Sequence, residues 1–244
     1  MNELIEKFTV DSYDAGPDGY ATPGGLMRIM QECACRHATI LGRGFDLLHP
    51  RGMMWVLSRI RLDIREMPQW CDQITIKTWP SGADKIFFYR EFVITDINGK
   101  ILLTADSAWS VVDFAKGRVC RANIFPDLNI SDPELVFKNR PEKIKLPGKL
   151  EAGPSFKARY LDLDMNRHVN NVRSSEWLLE YFDSLFRSRY NLKKLELNFT
   201  GQIEYNDDVT VFGTETSTLN FGLSLTKNET DRPVVTGRVE WCEE

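Results

Sequence analysis

Two stretches of the chain place apolar side chains three and four residues apart, and both follow residues that start helices. Residues 22–41 begin with Thr22 as a predicted N-cap and Pro23 at the first helical position. Residues 171–187 repeat the pattern behind Asn170 or Asn171, either of which can supply the cap. The pattern predicts two helices with one buried face each.

Alternation of apolar and polar residues predicts several strands after each helix. In the first half these strands are 60–64, 74–78, 85–96 and 100–113, the last two joined by the turn Asn98-Gly99. In the second half they are 195–199, 209–212, 219–227 and 234–241. The predicted fold class is α+β, with each half a curved antiparallel sheet wrapped around one apolar helix.

The two halves align without gaps at a constant offset of 148 positions. This offset pairs Phe8 with Phe156, Asp14 with Asp162, Glu32 with Glu180, and the cap Thr22 with Asn170. Agreement of strand, turn, cap and helix indicates a duplication. We expect one domain over residues 1–130, a Pro-, Lys- and Glu-containing linker over 131–152, and a second domain over 153–244.

Charge and cysteine content narrow the class of protein. The net charge is −4 over 244 residues, and the isoelectric point is near 5.6, which argues against a nucleic-acid partner. The five cysteines show no zinc-type pairing, so we expect reduced thiols, no metal and a cytoplasmic location. No segment has the length and apolarity of a membrane span, so we expect no membrane insertion, and no motif calls for a cofactor.

The run from Asp162 to Asn171 crowds polar side chains ahead of the second helix. Asp164, Asn166 and His168 occupy alternate positions and could point one way from an extended segment. The helix start, formed by Asn170, Asn171 and Val172, would add N–H groups that can stabilise an oxyanion. Two interpretations stay open here: a catalytic turn, or a capped loop whose Asp and Asn residues only make turn hydrogen bonds.

A second strand could support this run. The alternation from Leu195 to Tyr205 places Gln202 and Glu204 on one face if no bulge intervenes. A solvated face is the simpler interpretation, but either residue could approach the turn and orient a water molecule. Of the other histidines, His37 falls on the buried stripe of the first helix and His49 lies in a predicted loop.

The first copy lacks these chemical groups. The offset matches Asp164, Asn166 and His168 with Gly16, Asp18 and Tyr20. One half is therefore predicted to be catalytic and the other to hold a substrate. The large apolar side chains that could line an acyl pocket there, or simply fill the core, are Leu26, Met27, Met30, Met53, Met54 and Trp55.

The sequence resembles a known family along nearly its whole length. The segment 162–172 followed by Glu176-Trp177-Leu178-Leu179-Glu180 is similar to the active-site segment of acyl-acyl carrier protein thioesterases of bacteria and plant plastids. The segments 12–19, 30–32, 54–59, 67–68, 78–79 and 108–111 also follow that family's pattern.

The resemblance implies a tandem pair of hotdog domains and hydrolysis of fatty acyl thioesters of acyl carrier protein, a step of lipid metabolism. It assigns Asp164, Asn166 and His168 as the catalytic Asp, Asn and His. Plant members carry an acidic residue followed by Cys where this chain has Gln202-Ile203-Glu204, so no cysteine nucleophile is carried over.

The expected partner is an acidic carrier protein, and a homodimer is possible. Basic residues that could contact the carrier are Lys138, Arg140, Lys143, Lys145, Lys149, Arg187, Arg189, Lys193 and Lys194. Two alternatives stay open: a hotdog hydrolase of acyl-coenzyme A, and an acyl-binding module without activity.

Overall fold

The computed structural model describes residues 3–128 and 135–243 and separates the chain into two compact units, which meet in sequence at Pro141 and Glu142. We call them the first and the second unit. The elements of the first unit are β1 (Leu4–Thr9), α1 (Pro23–Ile40), α2 (Phe45–Leu48), β2 (Met53–Ile64), β3 (Gln73–Asp84), β4 (Phe87–Thr95), β5 (Ile101–Asp113) and β6 (Arg118–Val119). Those of the second unit are β7 (Glu151–Lys157), α3 (Asn171–Leu179), α4 (Ser184–Arg187), β8 (Tyr190–Phe199), β9 (Asp208–Ser217), β10 (Asn220–Lys227) and β11 (Arg232–Glu243).

Both units have the same antiparallel strand order. In the first unit the neighbours run β1-β3-β4-β5-β2, and in the second they run β7-β9-β10-β11-β8. The two long helices begin 148 residues apart, at Pro23 and Asn171. The predicted duplication is therefore visible in the topology and not only in the helix starts.

The first helix has the cap and the buried face that its sequence predicts. The hydroxyl oxygen of Thr22 accepts a hydrogen bond from the N–H of Gly25 at 3.0 Å. Leu26, Met30, Cys33 and His37 on this helix are almost completely buried. The hydrophobic face of α1 thus forms the core of the first unit.

The second helix is shorter than predicted. It ends at Leu179, and the chain resumes as α4 after Asp183, whose carboxylate accepts the N–H of Phe186 at 2.7 Å. The break lets Phe182 pack against the Trp241 ring at a centroid distance of 4.9 Å. Gly237 makes room for the helix, since a Cβ there would lie 2.8 Å from Leu178 Cδ2.

The predicted linker 131–152 has no regular structure between residue 135 and β7, although it is firmly bound; residues 131–134 lie outside the described part. Its carbonyl oxygens at Asn139 and Pro141 accept hydrogen bonds from Arg61 at 2.6 Å and Arg59 at 2.8 Å in the first unit. In the second unit, the side chain of Asn198 accepts the N–H of Ile144 at 2.7 Å. Each half of the segment is thus anchored to its own unit.

Under residues 136–141 lies a buried row of charges on the first sheet. Arg61, Asp106 and Glu91 are cross-strand neighbours on β2, β5 and β4, and Arg140 from the covering segment lies 3.4 Å from a Glu91 oxygen. Arg61 approaches Asp106 at 3.5 Å. Burial, followed by the repulsion of Glu91, raises the pKa of Asp106 to about 7.

We expect the pH dependence of stability to reflect Asp106. Its pKa is about 7 in the folded chain against an ordinary 3.8, so the folded state holds this proton more tightly between those values. The contribution to the free energy of unfolding, at most about 4 kcal/mol, is full below the lower value and is lost as pH rises through the upper one. Asp106→Asn should therefore reduce the fall in melting temperature between pH 5 and pH 8.

The exposed Asp84 on β3 provides the matched control. Asp84→Asn makes the same change of charge and should keep the fall seen in the unchanged chain. Equal slopes for Asp106→Asn and the unchanged chain would contradict the assignment.

Candidate active site

Residues 163–169 form a tight turn and not the extended segment that the alternation suggested. Leu163 and Val169 pair across its base, and the N–H of Asp164 donates to the carbonyl of His168 at 2.8 Å. Arg167 closes the turn with a φ of 65° and donates its N–H to the carbonyl of Asp164 at 3.0 Å. The expectation of an extended segment was wrong because these backbone bonds fold the run back on itself.

The carboxylate of Asp164 is fixed inside this turn. One oxygen accepts the N–H groups of Asn166 at 2.7 Å and His168 at 3.4 Å, and the other accepts the Asn166 side-chain amide at 3.4 Å. The side chains of Asp164, Asn166 and His168 are half-buried, whereas Met165 and Arg167 between them are exposed. Half-buried and exposed side chains thus alternate along residues 164–168, as the sequence pattern predicted, although the segment is a turn.

The first unit contains the same turn without the same chemistry. The N–H of Gly16 donates to the carbonyl of Tyr20 at 2.7 Å, and the N–H of Gly19 donates to the carbonyl of Gly16 at 3.0 Å. Gly19 has a φ of 81°, at the position that matches Arg167. In this copy the carboxylate of Asp18 accepts the N–H of Tyr20 at 3.0 Å, so the turn folds with a carboxylate at a different corner and no imidazole. The combination of Asp164, Asn166 and His168 is therefore specific to the second unit.

Asp162 and Asn170 join the turn to the second helix. The carbonyl of Asp162 accepts the N–H of Asn170 at 2.9 Å, and its carboxylate accepts Nε of Arg173 at 2.9 Å. Asn170 is the N-cap, and its side-chain oxygen accepts the N–H of Val172 at 2.8 Å. Both residues therefore have the structural role that turn chemistry predicts.

These contacts narrow the predicted oxyanion site. The N–H groups of Asn170 and Val172 already donate within the protein, so they are not free to bind an oxyanion. The N–H of Asn171, the first helical residue, has no acceptor among residues 3–128 and 135–243. Of the three predicted donors, Asn171 is therefore the one that remains open to a ligand.

The two supporting residues differ in position. Glu204 pairs with His168 in an isolated β-bridge, next to the bond from the Val169 N–H to the Ile203 carbonyl at 2.8 Å. Gln202 is exposed, and no contact joins it to the described turn. The predicted common face of Gln202 and Glu204 with β8 was wrong, because β8 ends at Phe199.

Gly201 explains where that strand ends. Its N–H donates to the carbonyl of Val234 at 3.2 Å, and a Cβ on Gly201 would lie 2.8 Å from a Val234 methyl group. The pattern of apolar and polar residues in the sequence does not predict this close approach. The chain leaves the sheet here and returns beside His168.

The loop that carries the turn exposes three large apolar side chains, which the sequence analysis missed. Tyr160 is 77% exposed, Leu161 is 92% exposed and Met165 is 83% exposed. Arg159 and Arg167 in the same loop are also exposed. The available signal was the presence of apolar residues within a short, otherwise polar segment.

An apolar cavity lies in the first unit, but the predicted pocket residues do not form it. Only Trp55 of the six lines the cavity; Leu26, Met27, Met30 and Met54 are buried in the core, and Met53 packs beside it. Most lining residues come from the C-terminal half of α1 and from strands β2 to β5, and three come from the segments that follow α1 and β6. They are Ala34, Cys35, Ala38, Leu41, Arg43, Trp55, Pro80, Phe88, Tyr89, Arg90, Trp109 and Leu128. The sequence signal was the pair of alanines one turn apart, not the large side chains.

His37 has the predicted environment, whereas His49 lies in the 3-10 helix His49–Arg51 and not in a loop. His37 is fully buried, with its Nδ1 3.0 Å from an Arg90 nitrogen, and His49 is exposed beside the Phe45 ring. All five cysteines are free thiols. Within residues 3–128 and 135–243, no three acidic, His or Cys side chains cluster as metal ligands, and no helix is long and apolar enough to cross a membrane.

Similar proteins were found by sequence. The acyl-ACP thioesterase N-terminal domain matches residues 2–127, and the C-terminal domain of the same family matches residues 149–243. An oleoyl-acyl carrier protein thioesterase of Arabidopsis thaliana is 27% identical over 87% of this chain, and a palmitoyl-acyl carrier protein thioesterase of the same plant is 28% identical over 97%. The chain spans 64% and 63% of the length of these two chloroplast relatives.

Solved structures show the same fold. An acyl-ACP thioesterase from Bacteroides thetaiotaomicron superposes with a TM-score of 0.88 at 24% identity, covering 98% of both chains. A 12:0-ACP thioesterase from Umbellularia californica gives 0.85 at 20% identity, covering 99% of this chain and 98% of the other. The α+β tandem hotdog fold expected from the resemblance is confirmed, and the chain belongs to the acyl-ACP thioesterase family.

Proposed function

We propose that this protein hydrolyses fatty acyl-acyl carrier protein to free fatty acid and holo carrier protein. The observation that carries the proposal is the turn of Asp164, Asn166 and His168 at the start of α3. The equivalent turn of the first unit has Gly16, Asp18 and Tyr20 at these positions. The relatives are named for oleoyl, palmitoyl and dodecanoyl substrates. The substrates in these names share a thioester to acyl carrier protein and differ in the fatty acyl group.

In the proposed reaction, water adds to the thioester carbonyl and the carbon–sulfur bond breaks. The Asn171 N–H stabilises the oxyanion, with support from the positive end of the helix dipole. His168 takes the proton of the attacking water and delivers it to the thiolate that leaves. The products are a fatty acid and the free thiol of the carrier.

The fixed carboxylate of Asp164 allows three roles. It can orient the water, act as the base, or attack the carbonyl and form a transient anhydride. Asn166 holds it through the side-chain contact at 3.4 Å. A single turnover in H₂¹⁸O distinguishes direct attack from the other two roles, since only direct attack, followed by hydrolysis at the Asp164 carbonyl, places label in that carboxylate.

We expect Asp164→Asn and His168→Ala each to lower kcat by about 10²- to 10⁴-fold, the range for loss of a positioned acid or base. Thiol release from dodecanoyl-carrier protein measures the effect. His49→Ala and Asp11→Asn change an exposed histidine and an exposed aspartate elsewhere and should leave kcat unchanged. Full activity in the Asp164→Asn, His168→Ala double variant would remove the basis of the proposal.

We propose that the carrier protein docks on the loop around the turn, which we call the docking face: Arg159, Tyr160, Leu161, Met165 and Arg167. Its exposed apolar groups suit a protein partner, and its two arginines suit an acidic one. Among the described residues, no carboxylate forms an ion pair with Arg159 or Arg167.

Several basic residues suggested by the sequence are less suited to docking. Arg140 is engaged by Glu91 and Ser81, and Lys193 and Lys194 pair with Glu240 and Glu196 at 3.0 Å. Arg187 donates to backbone carbonyls at the end of α3. Their charges are already balanced or fixed within the protein.

We expect Arg159→Glu to raise KM for the acyl-carrier substrate by about tenfold, because it reverses a charge facing an acidic partner. The variant should hydrolyse neutral acyl-pantetheine as fast as the unchanged chain. Arg232→Glu, at an exposed position on β11, serves as the control. Equal loss on both substrates, or self-association through this face in light scattering, would contradict carrier docking.

We propose that the first unit binds the acyl chain, because its cavity is largely apolar. The five free thiols support the predicted reducing location, the cytoplasm.

Two rival functions make different predictions. An acyl-coenzyme A hydrolase would release thiol equally fast from the coenzyme A thioester and from the carrier-protein thioester of the same chain length. A binding module would retain the acyl thioester without releasing thiol.

A further inference from the structure

The cavity of the first unit combines apolar walls with one buried charge. Small side chains of α1, at Ala34 and Ala38, leave space above the rings of Trp55, Phe88 and Trp109. Arg90 of β4 lies in the same wall and is only 9% exposed. A wall built only for a hydrocarbon chain would not include a guanidinium group.

The hydrogen-bond partners that the structure describes for Arg90 are the side chains of His37 and Thr78. One terminal nitrogen lies 3.0 Å from Nδ1 of His37 and donates to the hydroxyl of Thr78 at 3.1 Å. Among the side chains that the structure describes, no carboxylate lies within 4.0 Å of this guanidinium. Its neighbour Glu91 extends from the opposite face of the strand. Burial lowers the pKa of Arg90 to about 10, so the group still carries its charge at neutral pH.

The remaining donors of Arg90 face open space. Its Nε and second terminal nitrogen have no hydrogen-bond acceptor among the described residues, and neither is among the fully enclosed polar atoms that lack a partner. Because Arg90 is buried from bulk solvent yet lines the cavity, the cavity is the space that these donors face.

We propose that this cavity binds a free fatty acid, with its carboxylate on Arg90 and its alkyl chain against the aromatic wall. A carboxylate accepts two parallel hydrogen bonds from a guanidinium and supplies the missing negative charge. An alcohol or a thioester of the same length fills the apolar wall but leaves the charge unbalanced. The ligand is the product of the proposed hydrolysis, but binding itself does not depend on that reaction.

The test compares two ligands that differ in the head group alone. Dodecanoate and dodecan-1-ol are titrated below their aggregation limits at pH 8, and binding is followed by calorimetry and by the fluorescence of Trp55 and Trp109. The unchanged chain should bind dodecanoate at least about tenfold more tightly than dodecan-1-ol. Arg90→Met should bind both with similar affinity, and Arg90→Lys should keep part of the preference.

A second variant guards against loss of folding at Arg90. Ala38→Phe fills the cavity from a half-buried helix position and leaves Arg90 in place. It should lower the affinity for both ligands by about tenfold or more. Circular dichroism melts establish that each variant is folded.

Three results would overturn the proposal. They are equal affinity of the unchanged chain for both ligands, a preference for dodecanoate that survives in folded Arg90→Met, and tight dodecanoate binding that survives in Ala38→Phe. Absence of thiol release from every thioester would refute the proposed hydrolysis and leave this binding result intact.

Discussion

The candidate chemistry depends on one backbone arrangement, the turn closed by the bond between the residue-164 N–H and the residue-168 carbonyl. This bond sets the spacing of the carboxylate, the amide and the imidazole, and the adjoining bond from Val169 to Ile203 attaches the turn to the segment that follows β8. The first unit keeps the same bond between Gly16 and Tyr20. The same backbone turn therefore forms in both units with different side chains, and in the second unit those side chains are the candidate catalytic groups.

The two units use buried charge differently. The second unit keeps its acidic groups at the surface of the turn and the helix start, where they stay partly accessible. In the first unit, Arg90, Glu91 and Asp106 are almost completely buried in the sheet, and opposite charges from Arg61 and Arg140 accompany only the two carboxylates. Buried ion pairs contribute little net stability, but removing one partner is costly. Such groups therefore restrict which side chains the sheet tolerates.

Local signals allowed much of the fold to be predicted from the sequence. Thr22, Pro23 and Asn170 act within one helical turn, so both helix starts and their constant offset were readable. The end of the second helix was not, because Asp183 resembles any polar residue on an amphipathic face until its cap is seen.

The site was predicted in part for the same reason. Asp164, Asn166 and His168 lie within five residues, so their proximity follows from the chain itself. Gln202 follows the close approach of Gly201 to Val234, and the cavity wall is formed by side chains of α1 and four strands, β2 to β5. Those contacts join residues far apart in sequence, so the hydrophobic periodicity does not reveal them.

The strand β4 has a consequence for strand pairing: its residues Arg90 and Glu91 are consecutive, buried and directed to opposite faces. Sliding this strand by one residue would exchange a cation and an anion between two desolvated layers, so the misaligned pairing is strongly disfavoured and the hairpin has a single workable register.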